Sequence, residues 1–216
     1  MGYFKKVYKK AKNGLCLFNL TESALYLKIS ENHLVEILRK KDYIVEKTCF
    51  YSNISNVRKI IGHSDYKRGA RLEDAPYTFD CSSFTNYCYS LIGVDLPRNS
   101  IQQSYYYLGS EVNPKKEIQI MDLVFTKGYI NRYINDPTQG IGHVLMYTGK
   151  ESHTFIHASY KKKNVIEEDA EKYLKSPRLV RIVRYLSDIS ENYIIVKSKN
   201  KNFETSDDIF WNIIYK

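Results

Sequence analysis

The feature that most constrains the fold is a helix that begins at a cysteine. Asp80 is a favourable N-cap residue, and Gly93 is a favourable residue just past a helix C-terminus. Between them, apolar residues recur at helical spacing: Phe84, Cys88 and Leu91. The pattern predicts a helix over residues 81–92, with Cys81 in its first turn, where the side chain faces a cleft.

A thiol at this place is a candidate nucleophile. The unpaired amides and the positive dipole at a helix N-terminus lower a thiol pKa. The thiolate is the nucleophile, and a histidine is its usual base or ion-pair partner. His143 begins a predicted strand over residues 143–148, and His157 lies in the next, over 154–158. The loop between them has hairpin composition. We therefore expect both histidines near one end of adjacent antiparallel strands, or diagonal across them.

Predicted helices precede predicted strands along the chain, which is the α+β pattern. The helices are expected over residues 56–61, 81–92 and 100–108, and the strands over 122–126, 143–148, 154–158 and 180–185. We expect three segments: an N-terminal extension (1–55) packed on a catalytic domain (56–187), and a C-terminal extension (188–216). The first extension is expected to hold an amphipathic helix capped near Ser30. Residues 127–139 are predicted to form a loop before His143.

Six short motifs, in order, resemble the NlpC/P60 family of cell-wall cysteine peptidases. They are Tyr66 with Gly69, FDCSSF around Cys81, LPRNSIQQ from Leu96, MDLVF from Met121 (with Met in place of the usual glycine), GHVLMYTG around His143 and FIHAS around His157. The resemblance covers about residues 56–186. It implies a papain-like α+β fold in which a nucleophile-bearing helix packs on an antiparallel sheet.

The resemblance also implies roles for these residues. Cys81 is the expected nucleophile, His143 the base and His157 the residue that orients it, a place that Asn or Gln also fills in the family. Tyr66 is expected to help bind the oxyanion. Asp80 is either a helix cap or, in addition, a ligand for a free amine of the substrate. Ser82 and Ser83 are expected to assist in substrate binding, although Ser83 stands where glycine is common.

Composition excludes several other classes of protein. The net charge of +9 is dispersed, and no nucleic-acid-binding signature accompanies it, so we expect no specific nucleic-acid partner. The spacing of Cys81, His143 and His157 matches no zinc signature, so neither a metal nor another cofactor is expected. No stretch approaches the roughly 20 apolar residues of a membrane span. No clear signal peptide is present, which predicts a cytoplasmic protein or one released by another route.

The sequence leaves three functions open. The first is hydrolysis of peptidoglycan stem peptides, which the resemblance implies, commonly at the bond between D-glutamate and a diamino acid. The second is an amidase or acyltransferase that uses the same Cys-His chemistry on another amide or ester. The third is a wall-binding or phage-structural module without turnover. Oligomeric state and the pairing of Cys16 with Cys49 are undecided by the sequence.

Overall fold

Alternating hydrophobicity and turn residues divide the chain into short helices and strands. A computed structural model describes residues 15–105, 109–113, 118–128, 140–186, 192–198, 208–209 and 213. Its helices are α1 (Leu20–Leu27), α2 (Glu31–Lys40), α3 (Phe50–Arg58), α4 (Cys81–Ser90), α5 (Ser100–Tyr105) and α6 (Glu171–Leu174). Its strands are β1 (Leu15–Asn19), β2 (Tyr43–Lys47), β3 (Asp65–Tyr66), β4 (Thr78–Phe79), β5 (Ser110–Val112), β6 (Leu123–Lys127), β7 (Ile141–Tyr147), β8 (Thr154–Ser159), β9 (Asn164–Asp169), β10 (Leu179–Arg184) and β11 (Tyr193–Ser198). None of the helices within these ranges is long and apolar enough to cross a bilayer.

The first of two compact units is assembled from segments far apart in sequence. It comprises Met1–Cys49, Tyr89–Asp95 and Asp188–Lys216. Strand β11 lies between β1 and β2 and pairs antiparallel with both, so that Val196 is opposite Cys16 on one side and Val45 on the other. The two segments that the sequence treats as separate extensions therefore share one sheet. The boundaries predicted for the catalytic domain stay a prediction.

Helix α2 of this unit is where the sequence places an amphipathic helix. The Ser30 hydroxyl accepts a hydrogen bond from the amide of His33 (3.2 Å), which satisfies one of the unpaired donors of the first turn. The helix contributes Leu34 and Leu38 to a core of buried residues. The core consists of Cys16, Phe18, Leu20, Ala24, Leu34, Leu38, Tyr43, Ile194, Val196 and Ile209. The predicted cap and helix are confirmed.

The second unit comprises Phe50–Cys88 and Leu96–Ser187. Over its described residues, six strands form a sheet in the order β5-β10-β6-β7-β8-β9, and every neighbouring pair is antiparallel. A cluster of buried residues forms a core of this unit: Val112, Ile118, Val124, Leu145, Tyr147, Phe155, Ala170 and Ile182. Tyr173 and Leu174 of α6 and Leu179 of β10 pack against it. The predicted α+β class, with an antiparallel sheet, is confirmed.

Local patterns locate four strands of this sheet and misplace one helix. The predicted strands correspond to β6, β7, β8 and β10, whereas β5 and β9 are absent from the prediction. The bounds expected for the helix at residues 56–61 are wrong. The observed helix, α3, begins at Phe50, because Phe50, Ile54 and Val57 form its buried stripe. Residues 106–108 of the helix expected over 100–108, and residues 129–139 of the predicted loop, lie outside the described residues.

Helix α4 is two residues shorter than predicted and is buried on nearly all sides. The amide of Val94 donates to the carbonyl of Tyr89 (3.0 Å), which closes the helix, and Gly93 follows with φ of +81°. A Cβ on Gly93 would lie 2.7 Å from the backbone of Cys16, so glycine is required there. The polar residues of the helix are buried with the apolar ones: Ser82, Ser83, Thr85 and Asn86. The single apolar stripe therefore understates how much of α4 is enclosed.

Candidate active site

Cys81 lies where a short parallel strand pair leads the chain into α4. Strands β3 and β4 pair so that Tyr66 is opposite Phe79, two residues before Cys81. Cys81 is only 7% exposed. The backbone amide of Val144 in β7 is close enough to lower the pKa of this thiol, and Val144 directly follows His143 in the chain. The fold therefore brings the start of α4 to the strand that carries the first predicted histidine.

The carboxylate of Asp80 is surrounded by donors. Its Oδ1 accepts from the Ser83 amide (2.8 Å), the Ser82 hydroxyl (3.2 Å) and Arg98 Nη1 (3.2 Å). Its Oδ2 accepts from Arg98 Nη2 (2.6 Å) and from the Gly69 amide (3.0 Å). The helix-cap role of Asp80 is thereby confirmed. Its suggested role as a ligand for a substrate amine stays a prediction.

The two serines after Cys81 belong to the same network. The Ser82 hydroxyl also accepts from Arg98 Nη1 (3.1 Å), and the Ser83 hydroxyl accepts from the amide of Asp80 (2.9 Å). The bond to Ser83 and the cap bond in the opposite direction form a reciprocal pair, which holds the first turn of α4 rigid. Both serines are buried, at 4% and 1% exposure. Their substrate-binding role stays a prediction.

The two histidines form a hydrogen bond with each other. Nε2 of His143 lies 2.9 Å from Nδ1 of His157. The register of β7 with β8, in which Met146 is opposite Ile156, sets the two rings diagonally on one face, as one of the two expected arrangements had it. Nδ1 of His143 is the ring nitrogen that this bond leaves to act on a substrate or thiol proton.

The hydrogen bonds continue from His157 to the next strand. Nε2 of His157 lies 3.1 Å from Oε2 of Glu168 in β9 and 3.2 Å from the hydroxyl of Tyr173 in α6. The Tyr173 hydroxyl donates a short hydrogen bond to the same carboxylate, and Lys172 Nζ lies 2.5 Å from Oε1. His157 is 3% exposed. The sheet thus holds a line of hydrogen-bonded polar groups from His143 to Glu168, with the buried His157 in the middle.

The expectation that the thiol pKa is lowered is wrong for this structure. Burial raises the pKa of Cys81 to about 12, and the adjacent Asp80 carboxylate adds to the shift. The amides of Val144 and Ser82 and the guanidinium of Arg98 act in the opposite direction but are outweighed. A helix N-terminus lowers the pKa of a thiol only when its stabilisation of the thiolate exceeds the cost of removing the thiolate from water.

The electrostatics of His143 match a neutral thiol. Burial and then the adjacent His157 lower the pKa of His143 to about 3, and Glu168 opposes this shift. The imidazole is therefore uncharged at neutral pH and carries a lone pair. Glu168 has a pKa well below its usual range, because His157 and then Lys172 and Tyr173 donate to it against the cost of burial. The resting site therefore holds a neutral thiol and a neutral imidazole, while the Glu168 carboxylate is ionised.

Tyr66 completes the surroundings of the thiol. Burial raises the pKa of its hydroxyl, and electrostatic interaction with Cys81 and Asp80 raises it further, so Tyr66 stays protonated and able to donate. Its ring meets the exposed ring of Tyr160 edge to face, with centroids 5.6 Å apart. Tyr66 is thus beside Cys81 with an available O–H donor, and its oxyanion role stays a prediction.

The other acidic, thiol and imidazole groups do not suggest a metal centre. Within the part of the chain that the structure describes, no group of three or more His, Cys, Asp or Glu side chains is arranged to hold an ion. No disulfide joins any two of the four cysteines, all of which the structure describes: Cys16, Cys49, Cys81 and Cys88. Cys49 is exposed and Cys16 is buried, which answers the pairing question that the sequence left undecided.

Sequence reasoning missed two residues that organise the site. Glu168 escaped because β9 was not predicted; the basic turn at residues 160–163 after FIHAS was the signal for a second hairpin, which would have placed Glu168 beside His157. Arg98, within the LPRNSIQQ motif, is expected from the sequence only to anchor a turn, and it forms an ion pair with Asp80 at 2.6 Å. Its position 18 residues away gives no local pattern from which that contact follows.

Comparison with known proteins gives a consistent family. A sequence model of the NlpC/P60 family matches residues 63–184. The "Probable endopeptidase p60" of Listeria seeligeri is 38% identical over 76 residues, which are 35% of this chain and 12% of that protein.

Two solved structures share the fold. An NlpC/P60 family protein from Bacillus cereus ATCC 10987 aligns with a TM-score of 0.51 and 25% identity, over 66% of this chain and 42% of its own. NlpC2 from Trichomonas vaginalis aligns with a TM-score of 0.51 and 23% identity, over 64% of this chain and 47% of its own. The chain spans less than half the length of each of these three relatives.

Proposed function

Because the chain belongs to the NlpC/P60 family, we propose that it is a cysteine peptidase that hydrolyses amide bonds in the peptide stems of peptidoglycan. The observation that carries the proposal is the 2.9 Å bond between His143 and His157, on the strand whose Val144 amide reaches the Cys81 thiol. A buried thiol together with a neutral imidazole that a hydrogen bond holds in place is the pair of groups that nucleophilic attack on an amide needs. We assign the bond between D-glutamate and a diamino acid as the target, on the family resemblance.

The first half-reaction acylates the thiol. His143 accepts the proton of Cys81 at Nδ1 as the sulfur attacks the amide carbonyl, so the thiolate exists only during the attack. The same imidazole then returns the proton to the leaving amine, and a thioester remains on Cys81. A neutral thiol and a neutral base suit this order, because the charge separates only when substrate is in place.

The second half-reaction releases the product. His143 takes a proton from water, which attacks the thioester, and the thiol of Cys81 is regenerated. The negative charge on the carbonyl oxygen needs donors in both halves. The Tyr66 hydroxyl, which stays protonated, and the backbone N–H of Cys81 at the start of α4 are the groups that supply them. His157 keeps the His143 ring in place throughout.

The cluster of Asp80, Ser82 and Arg98 makes the wall next to the nucleophile. Its charges are paired, and the Asp80 carboxylate accepts five hydrogen bonds. Its main contribution is therefore a rigid surface against which the substrate binds. Arg98 keeps 40% of its side chain exposed. A partly exposed guanidinium next to the helix start favours a substrate that carries carboxylates, as peptidoglycan stems do.

The test is digestion of purified muropeptides followed by mass spectrometry of the products. We expect cleavage between D-glutamate and the diamino acid by the parent, and loss of at least about 10³-fold in rate for Cys81→Ala. Cys49→Ala, which removes an exposed thiol, is the matched control and keeps the parent rate. Cleavage elsewhere in the stem would correct the bond, and equal rates for parent and Cys81→Ala would refute the mechanism.

A further inference from the structure

The line of hydrogen bonds through His157 leaves little choice about where its protons lie. Each ring nitrogen of His157 has a partner: Nδ1 meets His143 Nε2 at 2.9 Å, and Nε2 meets Glu168 Oε2 at 3.1 Å. The three groups stand on three successive strands, β7, β8 and β9, one diagonal step apart on the same face. A neutral imidazole has one N–H, so the partner at one nitrogen decides what the other nitrogen can do.

Glu168 is the group that decides. Its carboxylate is kept ionised by the donors around it, and an ionised carboxylate only accepts hydrogen bonds. His157 must therefore present Nε2–H to Glu168, which leaves a lone pair on Nδ1. That lone pair accepts from His143 only if His143 carries its proton on Nε2. His143 Nδ1 is then the nitrogen with a lone pair.

We propose that Glu168 is a positioning residue that fixes this order of protons, so that His143 presents the lone pair of Nδ1 to the Cys81 proton. The inference rests on the proposed function in assigning His143 as the base, and it adds a fourth residue to the three in that mechanism. When His143 becomes protonated during attack, its Nε2–H continues to donate to His157. No ring has to turn between the two states, so the hydrogen bonds serve both without reorganisation.

Tyr173 shows why the carboxylate is needed in addition to a polar neighbour. Its hydroxyl lies 3.2 Å from His157 Nε2 and donates to Glu168, so toward His157 it can only accept. With Glu168 removed, the hydroxyl proton can turn to Nε2. His157 would then carry its proton on Nδ1 and donate to His143, which would move the His143 proton to Nδ1. That order blocks the transfer from Cys81.

The test is nitrogen-15 NMR of the full chain with labelled histidines, which distinguishes Nδ1–H from Nε2–H rings. We expect His143 and His157 of the parent both to carry the proton on Nε2. In Glu168→Ala, His157 should shift to Nδ1–H or to a mixture, with kcat lowered by about 10²-fold and KM little changed. Glu168→Gln, in which the amide oxygen can accept from Nε2–H, should recover part of the rate and the parent tautomers.

Glu171→Ala is the matched control. Glu171 accepts from Nε2 of His153 at 2.9 Å, as Glu168 does from His157, but His153 does not contact His143. This variant should leave both His143 and His157 signals and the rate unchanged.

A parent spectrum with His143 as Nδ1–H would overturn the proposal, as would unchanged tautomers in Glu168→Ala, whatever its rate. If Glu168→Ala does not fold, the parent spectrum and Tyr173→Phe decide: the tautomers must survive loss of the hydroxyl. The spectra need no substrate. A parent that cleaves no stem peptide would therefore refute the proposed function while the proton order stands or falls separately.

Discussion

Two histidine–glutamate pairs, one with its histidine within β8 and one with its histidine just before β8, have almost the same hydrogen bond. His157 Nε2 lies 3.1 Å from Glu168, and His153 Nε2 lies 2.9 Å from Glu171. Their surroundings differ: the side chain of His157 is 4% exposed and that of His153 is 42% exposed. The bond alone does not identify a site, since both pairs have it.

The second ring nitrogen explains the difference between the pairs. Nδ1 of His153 meets the hydroxyl of Tyr147 at 2.9 Å, and burial raises the pKa of that hydroxyl, so it keeps its proton. Nδ1 of His157 meets the imidazole of His143, which is uncharged, carries a lone pair and is the proposed proton acceptor from Cys81. A histidine–carboxylate pair thus becomes part of a proton path only when its far side touches a group able to exchange protons.

Replacement of the histidine at the reacting end should have the largest effect. His143→Ala removes the proton acceptor, and we expect kcat/KM on a stem peptide to fall by about 10³-fold or more. His153→Ala removes the ring of the exposed pair and should stay within about twofold of the parent. Steady-state rates on one substrate measure both. A comparable loss in the two variants would mean that the exposed pair also takes part in the reaction.

Replacement of the middle histidine should have an intermediate effect. The amide oxygen of Asn can accept the hydrogen bond that His143 donates from Nε2, so His157→Asn should keep measurable activity, about 10- to 100-fold below the parent. The same assay measures it. If His157→Asn were as inactive as His143→Ala, His157 would do more than orient the ring; if it lost more, the two roles would be exchanged.

The pH dependence of thiol modification should show the smallest single step, about tenfold for each pH unit. With the pKa of Cys81 raised to about 12 and that of His143 lowered to about 3, the thiolate fraction in the resting protein rises steadily from pH 7 to 10. Brief labelling with iodoacetamide and peptide mapping follow Cys81, with the exposed Cys49 as internal reference. A plateau between pH 5 and 8 would indicate a preformed thiolate–imidazolium pair instead.

The parts of the fold that the sequence predicted are those encoded locally. Asp80 and the spacing of the apolar residues after it define the start of α4, and glycines bound the strand of His143. Strand β9 escaped prediction because Glu167 and Glu168 give it a charged character. It is stabilised from outside by pairing with β8 and by the two hydrogen bonds of Arg58 to Glu167, at 2.9 and 2.6 Å.

The candidate site was predictable in its residues but not in its charges. The motifs and their order along the chain identify Cys81, His143 and His157 without any knowledge of the distances between them. The pKa of Cys81 depends on how much water the folded chain removes and on the Asp80 carboxylate beside it, and neither follows from helix position alone. The partner of His157 required the register of an unpredicted strand.

The central position of β11 in its sheet affects the order in which the protein can fold during synthesis. Strands β1 and β2 are translated early, yet each is paired with β11, which leaves the ribosome only after the whole six-stranded sheet has been made. The backbone groups of β1 and β2 must wait for their partner until β11 has been made, and closing so long a loop is entropically costly. The nascent chain therefore has all the strands of its candidate active site before it can complete the sheet that contains β1 and β2.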